Sequence, residues 1–304
     1  MKAIQTFWTK PFIKPASCSF ESRYQGGFND DKQFIYTWAL SLLSIKEFFP
    51  KVHLVTDKEG KKSWIDFFEF PYDSYSTELD KISDLPTDFW AAGKLLTYAS
   101  TEEPFVHFDV DVVLGKLFDI SMLDYDLVVE FHYDDRYLKR YDKIIQKLIS
   151  SNAFFSKELL IKFKNPSFSY NDYNLGIMGG KDFHFINSYA NKAFKDLNTN
   201  LTLPKDKITC SFLNCIYEQH YLYVETKMAS KKVNTLIENS IQFDVDYQKQ
   251  KIEEGVNQFD FVHFHGGYKR LYPNKSEIWL KKLYPEFFNQ IKEKIAFIDS
   301  KKLK

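Results

Sequence analysis

The run Phe105-Val106-His107-Phe108-Asp109-Val110-Asp111-Val112-Val113-Leu114 places two carboxylates one residue apart inside an apolar stretch. A buried carboxylate without a partner is costly, so Asp109 and Asp111 must reach water, a positive side chain or a cation. A divalent metal is the reading that carries chemistry; a strand that simply ends at the surface is the alternative. Asp-x-Asp recurs at Asp124-Tyr125-Asp126 and at Asp244-Val245-Asp246. With 24 Asp in 304 residues, about two such matches arise by chance, so position must separate them.

A second constellation lies about 150 residues later, in VHFHGGYKR from Val262 to Arg270. A strand there delivers His263 and His265 to one face, at period two. Gly266 and Gly267 let a backbone approach a ligand closely, and Lys269 with Arg270 adds positive charge. Imidazole, free N–H groups and cations together suit a metal-bound diphosphate. A hairpin turn carrying a surface lysine is the competing account.

The elements that position these residues read as a βαβ series over the first third of the chain. Ala3 to Trp8 forms a strand closed by Pro11. Apolar residues recur at helical spacing from Asp31 to Phe49, and Val52 to Thr56 is the next strand, ending in Asp57. A helix over Trp90 to Ala99 precedes Pro104 and the strand FVHF. Asp109 therefore stands at the carboxyl end of a strand, where ligands of open α/β sheets bind. The other two aspartate pairs lack that setting. Helices are expected at Arg136–Ser150, Phe183–Leu197 and Ile208–Tyr217. Neither a repeat nor a linker divides the chain, so one domain is the simpler organisation.

Lys+Arg and Asp+Glu number 41 each, for a formal net charge of zero. This argues against a nucleic-acid partner held by a global positive field. Aromatic residues make up 18% of the chain, with 30 Phe and 19 Tyr, most of them expected in the core. Cys18, Cys210 and Cys215 form no disulfide framework, and MKAIQTFWTKPF has no signal-peptide pattern, which fits a cytoplasmic protein. No run reaches the length of a transmembrane segment. The tail from Lys281 to Lys304 has seven Lys against three acids. Phe287, Phe288, Ile291 and Ile295 suit packing on the domain, and peripheral contact with an anionic membrane is the other use of those lysines.

Several smaller features have two readings each. Trp8 stacks on a base or sugar, or is simple core. Asp57 contacts a ligand, or caps a turn, which is the favoured reading. His107 shares a strand face with Asp109 and either orients a ligand or is a hydrogen-bonded structural histidine. Arg23 to Gly27 covers a ligand, or forms a turn.

Taken in order, HFDVDVVL and His263-Phe264-His265-Gly266-Gly267-Tyr268-Lys269 resemble motifs of GT-A glycosyltransferases. The closest group is family eight, which includes glycogenin and bacterial lipopolysaccharide galactosyltransferases. Lys94 in WAAGKLLTYAS and Asn174-Leu175-Gly176-Ile177-Met178 look similar to further family features. The resemblance implies an α/β fold with a GT-A type, Rossmann-like mixed sheet flanked by helices. Residues 1–275 would form the nucleotide-sugar-binding catalytic domain, and residues 276–304 an amphipathic helical tail packed on it.

The resemblance also assigns residues. Asp109, Asp111 and His263 would hold Mn²⁺ (or Mg²⁺), with Asp109 also meeting the ribose. Gly266, Gly267 and Lys269 would hold the diphosphate; Lys94, Gly176, Thr6 and Trp8 complete the nucleotide-sugar contacts, although Thr6 also fits a plain strand end. Carboxylates suit a hard cation, and a histidine tilts the choice towards Mn²⁺. The chain departs from the family where Lys269-Arg270-Leu271 replaces Lys-Pro-Trp and where Thr209-Cys210-Ser211 replaces an Asp-Gln-Asp run. The residue acting on the sugar is then sought at Glu218, Gln219 or Asn174, a solvent-facing Glu-Gln being the alternative. The implied activity is a metal-dependent transfer from a UDP-linked or other nucleotide sugar, with retention, to a glycan, lipid-linked or protein acceptor. A sugar-1-phosphate nucleotidyltransferase and a degenerate carbohydrate- or nucleotide-binding protein are the alternatives; FWTKPF is not the glycine-rich phosphate loop that the former needs.

Overall fold

The computed structural model describes residues 1–13, 24–133, 145–157, 159–160, 171–201, 212–237 and 241–302. Seven strands form one mixed sheet in the order β3-β2-β1-β4-β7-β6-β8. These are β1 (Lys2–Phe7), β2 (Val52–Thr56), β3 (Ser74–Ser76), β4 (Phe105–Phe108), β6 (Val128–Tyr133), β7 (Asp172–Gly180) and β8 (Asn234–Ile237). The first four, β3 to β4 across the sheet, are mutually parallel. β7 runs antiparallel to both β4 and β6. The expected mixed sheet flanked by helices is the observed fold class. Strands β4 and β7 are buried at every residue and β1 at most of them, as strands packed on both faces of a sheet are.

The early helices begin and end close to their expected limits. The Asp31–Lys46 helix starts where the Asp30 carboxylate accepts the Gln33 N–H at 2.9 Å, an N-terminal cap. It is buried around nearly its whole circumference, because one side meets the sheet and the other meets the C-terminal helices Lys275–Leu283 and Pro285–Lys302. Thr37 Oγ1 donates to Ser276 Oγ at 2.8 Å across that contact. Phe288, Ile291 and Ile295 are buried in the same apolar cluster. No helix among the described residues is long and apolar enough to cross a membrane. Much of the aromatic content sits beside it: Phe7, Phe34, Trp38 and Trp64 form a contiguous group, with Trp38 and Trp64 ring centroids 4.3 Å apart.

Two very short strands matter most for the site. β5 (Val112–Leu114) follows Asp111 directly, and β9 (Phe261–His263) pairs with it antiparallel, with Val112 opposite His263. This small second sheet brings the two sequence constellations together. The helix expected at Ile208–Tyr217 includes residues 208–211, which lie outside the described residues, as do residues 136–144 of the Arg136–Ser150 helix, Cys18, Cys210 and Arg23. Its described part runs through a wider π-type turn at Ile216–His220 and continues as a helix to Met228. The Asp244 pair falls within the helix Ile241–Glu254, whereas Asp124 pairs with Lys181 on the surface at 2.7 Å.

Candidate functional site

Asp109 and Asp111 leave the carboxyl end of β4. The Asp109 N–H donates to Gly176 O at 2.7 Å, and the Val112 N–H donates back to Asp109 O at 3.0 Å. That tight turn lets both carboxylates emerge on the same side. Phe264 N–H donates to Asp111 O at 3.0 Å, which ties the end of β9 to the same turn. The His263 N–H donates to the buried Gln248 Oε1 at 3.0 Å. One ligand atom each from Asp109, Asp111 and His263 lie within 4.8 Å of one another. His263 Nε2 is 3.3 Å from Asp111 Oδ1 and 3.9 Å from Asp109 Oδ2. Two hard carboxylates and one imidazole nitrogen at this separation fit a divalent cation of the Mn²⁺ or Mg²⁺ class.

Two lysines flank the carboxylates. Lys94, on the Ala92–Ser100 helix, sits 2.8 Å from Asp109 Oδ1 and 2.5 Å from Glu218 Oε1. Lys269 sits 2.6 Å from Asp111 Oδ2 and donates to Gly26 O at 2.9 Å. Burial pushes the Asp109 carboxyl up, but Lys94, His107 and His263 together outweigh it and hold the group below the usual carboxylate range. Burial is likewise outweighed at Asp111, where Lys269 and His263 hold the carboxyl well below its ordinary value. Burial alone would lower the Lys94 pKa; Asp109 and Glu218 reverse this and raise it. His263 follows the same logic: Glu130 and Asp111 overcome burial and raise it to about 10.

A solvent-open cleft of about 640 Å³ runs away from these charges. Of the residues singled out from the sequence, Thr6, Trp8, Lys94, Asp109, Asp111 and Lys269 line it. Apolar and aromatic side chains also line it, Phe12, Phe34 and Trp90 among them. The lining thus combines charged groups with flat apolar ones, a composition suited to a ligand with an anionic group joined to a planar one. Thr6 Oγ1 donates to Thr97 Oγ1 at 2.9 Å, which fixes it against the neighbouring helix.

Other expected residues lie elsewhere. Gly266 and Gly267 form an exposed turn beyond β9, Gly266 at φ +52°, and do not line the cleft. The strand expected to carry both histidines ends at His263 and the His265 N–H turns back to donate to His263 O, yet the two rings lie together with centroids 4.9 Å apart. Asn174 and Gly176 are interior residues of β7: Asn174 Oδ1 accepts the Gly176 N–H at 2.9 Å and its amide donates to Tyr133 OH at 3.1 Å. Glu218 is fully buried on the π-type turn and joined to the site through Lys94, which overturns the solvent-facing reading for that residue. Gln219 beside it is half-buried.

His107 is buried, with Tyr98 OH at 3.4 Å and Asp109 Oδ1 at 3.8 Å from its Nδ1, the structural histidine of the sequence reading. Asp57 caps a turn, accepting from Gly60 N–H at 2.7 Å and from Thr9. Two residues escaped sequence reasoning altogether. Glu130, fully buried in β6, accepts from His263 Nδ1 at 2.8 Å; its signal was a lone acid in the apolar run LVVEF, the same anomaly that singles out Asp109. Gln248 had no comparable signal.

The fold resembles mouse xyloside xylosyltransferase 1 in its apo form, at 7% identity and a TM-score of 0.41, covering 86% of this chain and 97% of that one. It also resembles core-mannan synthase A from Aspergillus fumigatus in an Mn/GDP form, at 8% identity and a TM-score of 0.34, covering 74% and 69%. Both likenesses are loose. No curated protein matches the sequence. A family model does match, over residues 1–294. The chain therefore belongs to DUF6734, a family of unknown function.

Proposed function

We propose that this protein is a metal-dependent glycosyltransferase of GT-A type that takes its sugar from a nucleotide sugar, UDP-linked by the sequence resemblance. The observation that carries this reading is the convergence of Asp109, Asp111 and His263 beside two lysines, at the carboxyl end of a central parallel strand. In the proposed assignment the two carboxylates and His263 Nε2 hold the cation. A bound divalent cation supplies Lewis-acid neutralisation of the negative charge that develops on a departing diphosphate.

The chain's own residues do the rest. Lys269 and Lys94 are fixed ammonium groups within reach of that charge, and they stabilise it without transferring a proton. Trp8 and Trp90 in the cleft lining accept the flat base, with Thr6 in the same lining. As the bond between the anomeric carbon and the diphosphate oxygen breaks, its electron pair leaves with the oxygen and the sugar becomes cationic. A buried carboxylate held in place by Lys94 suits stabilisation of that cation, so Glu218 is the preferred catalytic candidate, ahead of the amides of Gln219 and Asn174. Retention of configuration, and a glycan, lipid-linked or protein acceptor, belong to the same proposal.

The test is turnover. The protein is incubated with a panel of nucleotide sugars in Mn²⁺ or in EDTA, and free nucleoside diphosphate is measured with and without added acceptor glycans. Metal-dependent release from one or two donors supports the assignment. Nucleotide binding without release would point to a degenerate binding protein, and inorganic pyrophosphate formed from a sugar phosphate and a nucleoside triphosphate would point to a nucleotidyltransferase.

A further inference from the structure

Glu130 lies behind His263 rather than beside the cleft. It sits in β6, whose neighbour β7 carries Gly176, and both its carboxylate oxygens are close to His263 Nδ1, at 2.8 and 3.1 Å. Nδ1 faces Glu130 while Nε2 faces Asp109 and Asp111. A carboxylate on one ring nitrogen keeps the proton there and directs the lone pair of the other nitrogen outward. Glu130 is fully buried, and the imidazole is its closest charged neighbour among the described contacts.

Space for this pair exists only because residue 176 is glycine. A Cβ built there would lie 2.2 Å from Glu130 Oε2 and 2.3 Å from His263 Nδ1 and Cε1. Those contacts are with two side chains clamped between strands, so neither can move aside cheaply. The same Gly176 presents its carbonyl to the Asp109 N–H at 2.7 Å. One residue therefore shapes both halves of the ligand set.

We infer that Glu130 is a positioning residue for the metal centre: it fixes the His263 ring so that Nε2 is a metal ligand, in a slot that requires glycine at 176. This rests on the metal-dependent reading above, and it assigns Gly176 to the ligand support rather than to the nucleotide sugar.

The experiment measures Mn²⁺ binding to the purified protein without substrate, by calorimetry, together with the nitrogen coupling of bound Mn²⁺ in pulsed electron paramagnetic resonance. Wild type should bind Mn²⁺ with a histidine nitrogen signal that disappears in His263→Ala. Glu130→Gln, of nearly equal volume, should weaken Mn²⁺ by roughly 10- to 100-fold and diminish or shift the nitrogen coupling. Gly176→Ala should weaken binding similarly although no ligand is changed, and it covers the case in which Glu130→Gln does not fold. Wild-type Mn²⁺ affinity and an unchanged nitrogen signal in whichever of these variants folds would overturn the positioning role while leaving the metal site intact. Absence of Mn²⁺ binding by the folded wild type would overturn both this inference and the metal-dependent reading.

Discussion

Val112 and His263 are directly opposed across β5 and β9, two strands of three residues each. Because Val112 follows Asp111 in the chain, this one register decides which side chain meets the aspartate turn. A slip of one residue would present Val262 or Phe264 instead and turn the imidazole to the other face. The register is anchored from outside the pair by Phe264 N–H to Asp111 O, by Leu114 N–H to Ser44 Oγ at 3.0 Å, and by His263 N–H to Gln248 Oε1. Short strands with few ladder bonds are held here by side-chain and loop contacts.

Loss of either end of that relationship should abolish turnover rather than folding. Asp111→Asn and His263→Ala are each expected to lower metal-dependent diphosphate release by about 10²–10³-fold, the range typical for removing one group that stabilises developing charge. Circular dichroism should remain that of the wild type. Equal turnover in wild type and both variants would remove these residues from the machinery.

Lys94 makes a different prediction, because two buried carboxylates share it. Replacing it with Met leaves Glu218, which is 0% exposed, and Asp109 without their ammonium. Removing one partner of a buried ion pair costs about 3–5 kcal/mol. Urea unfolding of Lys94→Met should show a loss of that order, and adding Glu218→Gln should recover part of it. A single variant as stable as wild type would mean that the network is solvated and does not fix Glu218.

Sequence reading reached the parallel half of the sheet because its period changes are plain: β2 is met at both ends, β1 lies at Lys2–Phe7 against the expected Ala3–Trp8, and the helix starts at Asp31 as expected and ends at Lys46 rather than Phe49. The position of Asp109 was legible for the same reason. β5 was not, since VVL continues the apolar run of β4 and nothing local marks the turn between them. β7 hid its antiparallel direction behind a glycine-rich segment that reads equally well as a loop. Glu218 looked exposed because a helix end was expected there, whereas the π-type turn carries the helix onward and turns that carboxylate inward. The His263–Glu130 contact joins residues far apart in the chain, and only tertiary pairing reveals it.

Stability should fall in mild acid through His220, a buried histidine on the same π-type turn as Glu218. Burial lowers the His220 pKa to about 4, against a weaker upward pull from its hydrogen bond to Asn171 O. Its ordinary value is 6.5. Above pH 6.5 the ring is neutral in both folded and unfolded chains, so it contributes no pH dependence. Between 6.5 and about 4 only the unfolded chain takes up the proton, and stability declines by up to about 3 kcal/mol, with no further loss below that window. Burial also lowers His53 to about 4 and His107 to about 3, so His220→Gln should reduce, without removing, the difference between urea midpoints at pH 7 and pH 5. The same pH response in both proteins would rule out this histidine as a source.

Lys269 connects the metal ligands to the turn at Tyr24–Gly27, and its loss should separate anion binding from metal binding. Its ammonium reaches Asp111 Oδ2 and Gly26 O, and lies 5.2 Å from the Phe28 ring centroid. The turn has little freedom to follow a displaced lysine: Gly26 has φ +64°, and a Cβ there would lie 2.1 Å from the Phe34 ring. In Lys269→Met the aliphatic stem is kept and the charge removed, so packing against Phe28 should survive. We expect UDP affinity measured in saturating Mn²⁺ to drop by at least about tenfold, since a charge-assisted contact to phosphate is worth on the order of 1.5–3 kcal/mol. The salt dependence of the remaining binding should become shallower, because one fewer cation faces the diphosphate. Mn²⁺ binding without nucleotide should change less, as Asp109, Asp111 and His263 are all retained. If UDP binds Lys269→Met as tightly as wild type, with the same salt dependence, then Lys269 serves only to hold the Tyr24–Gly27 turn against Asp111.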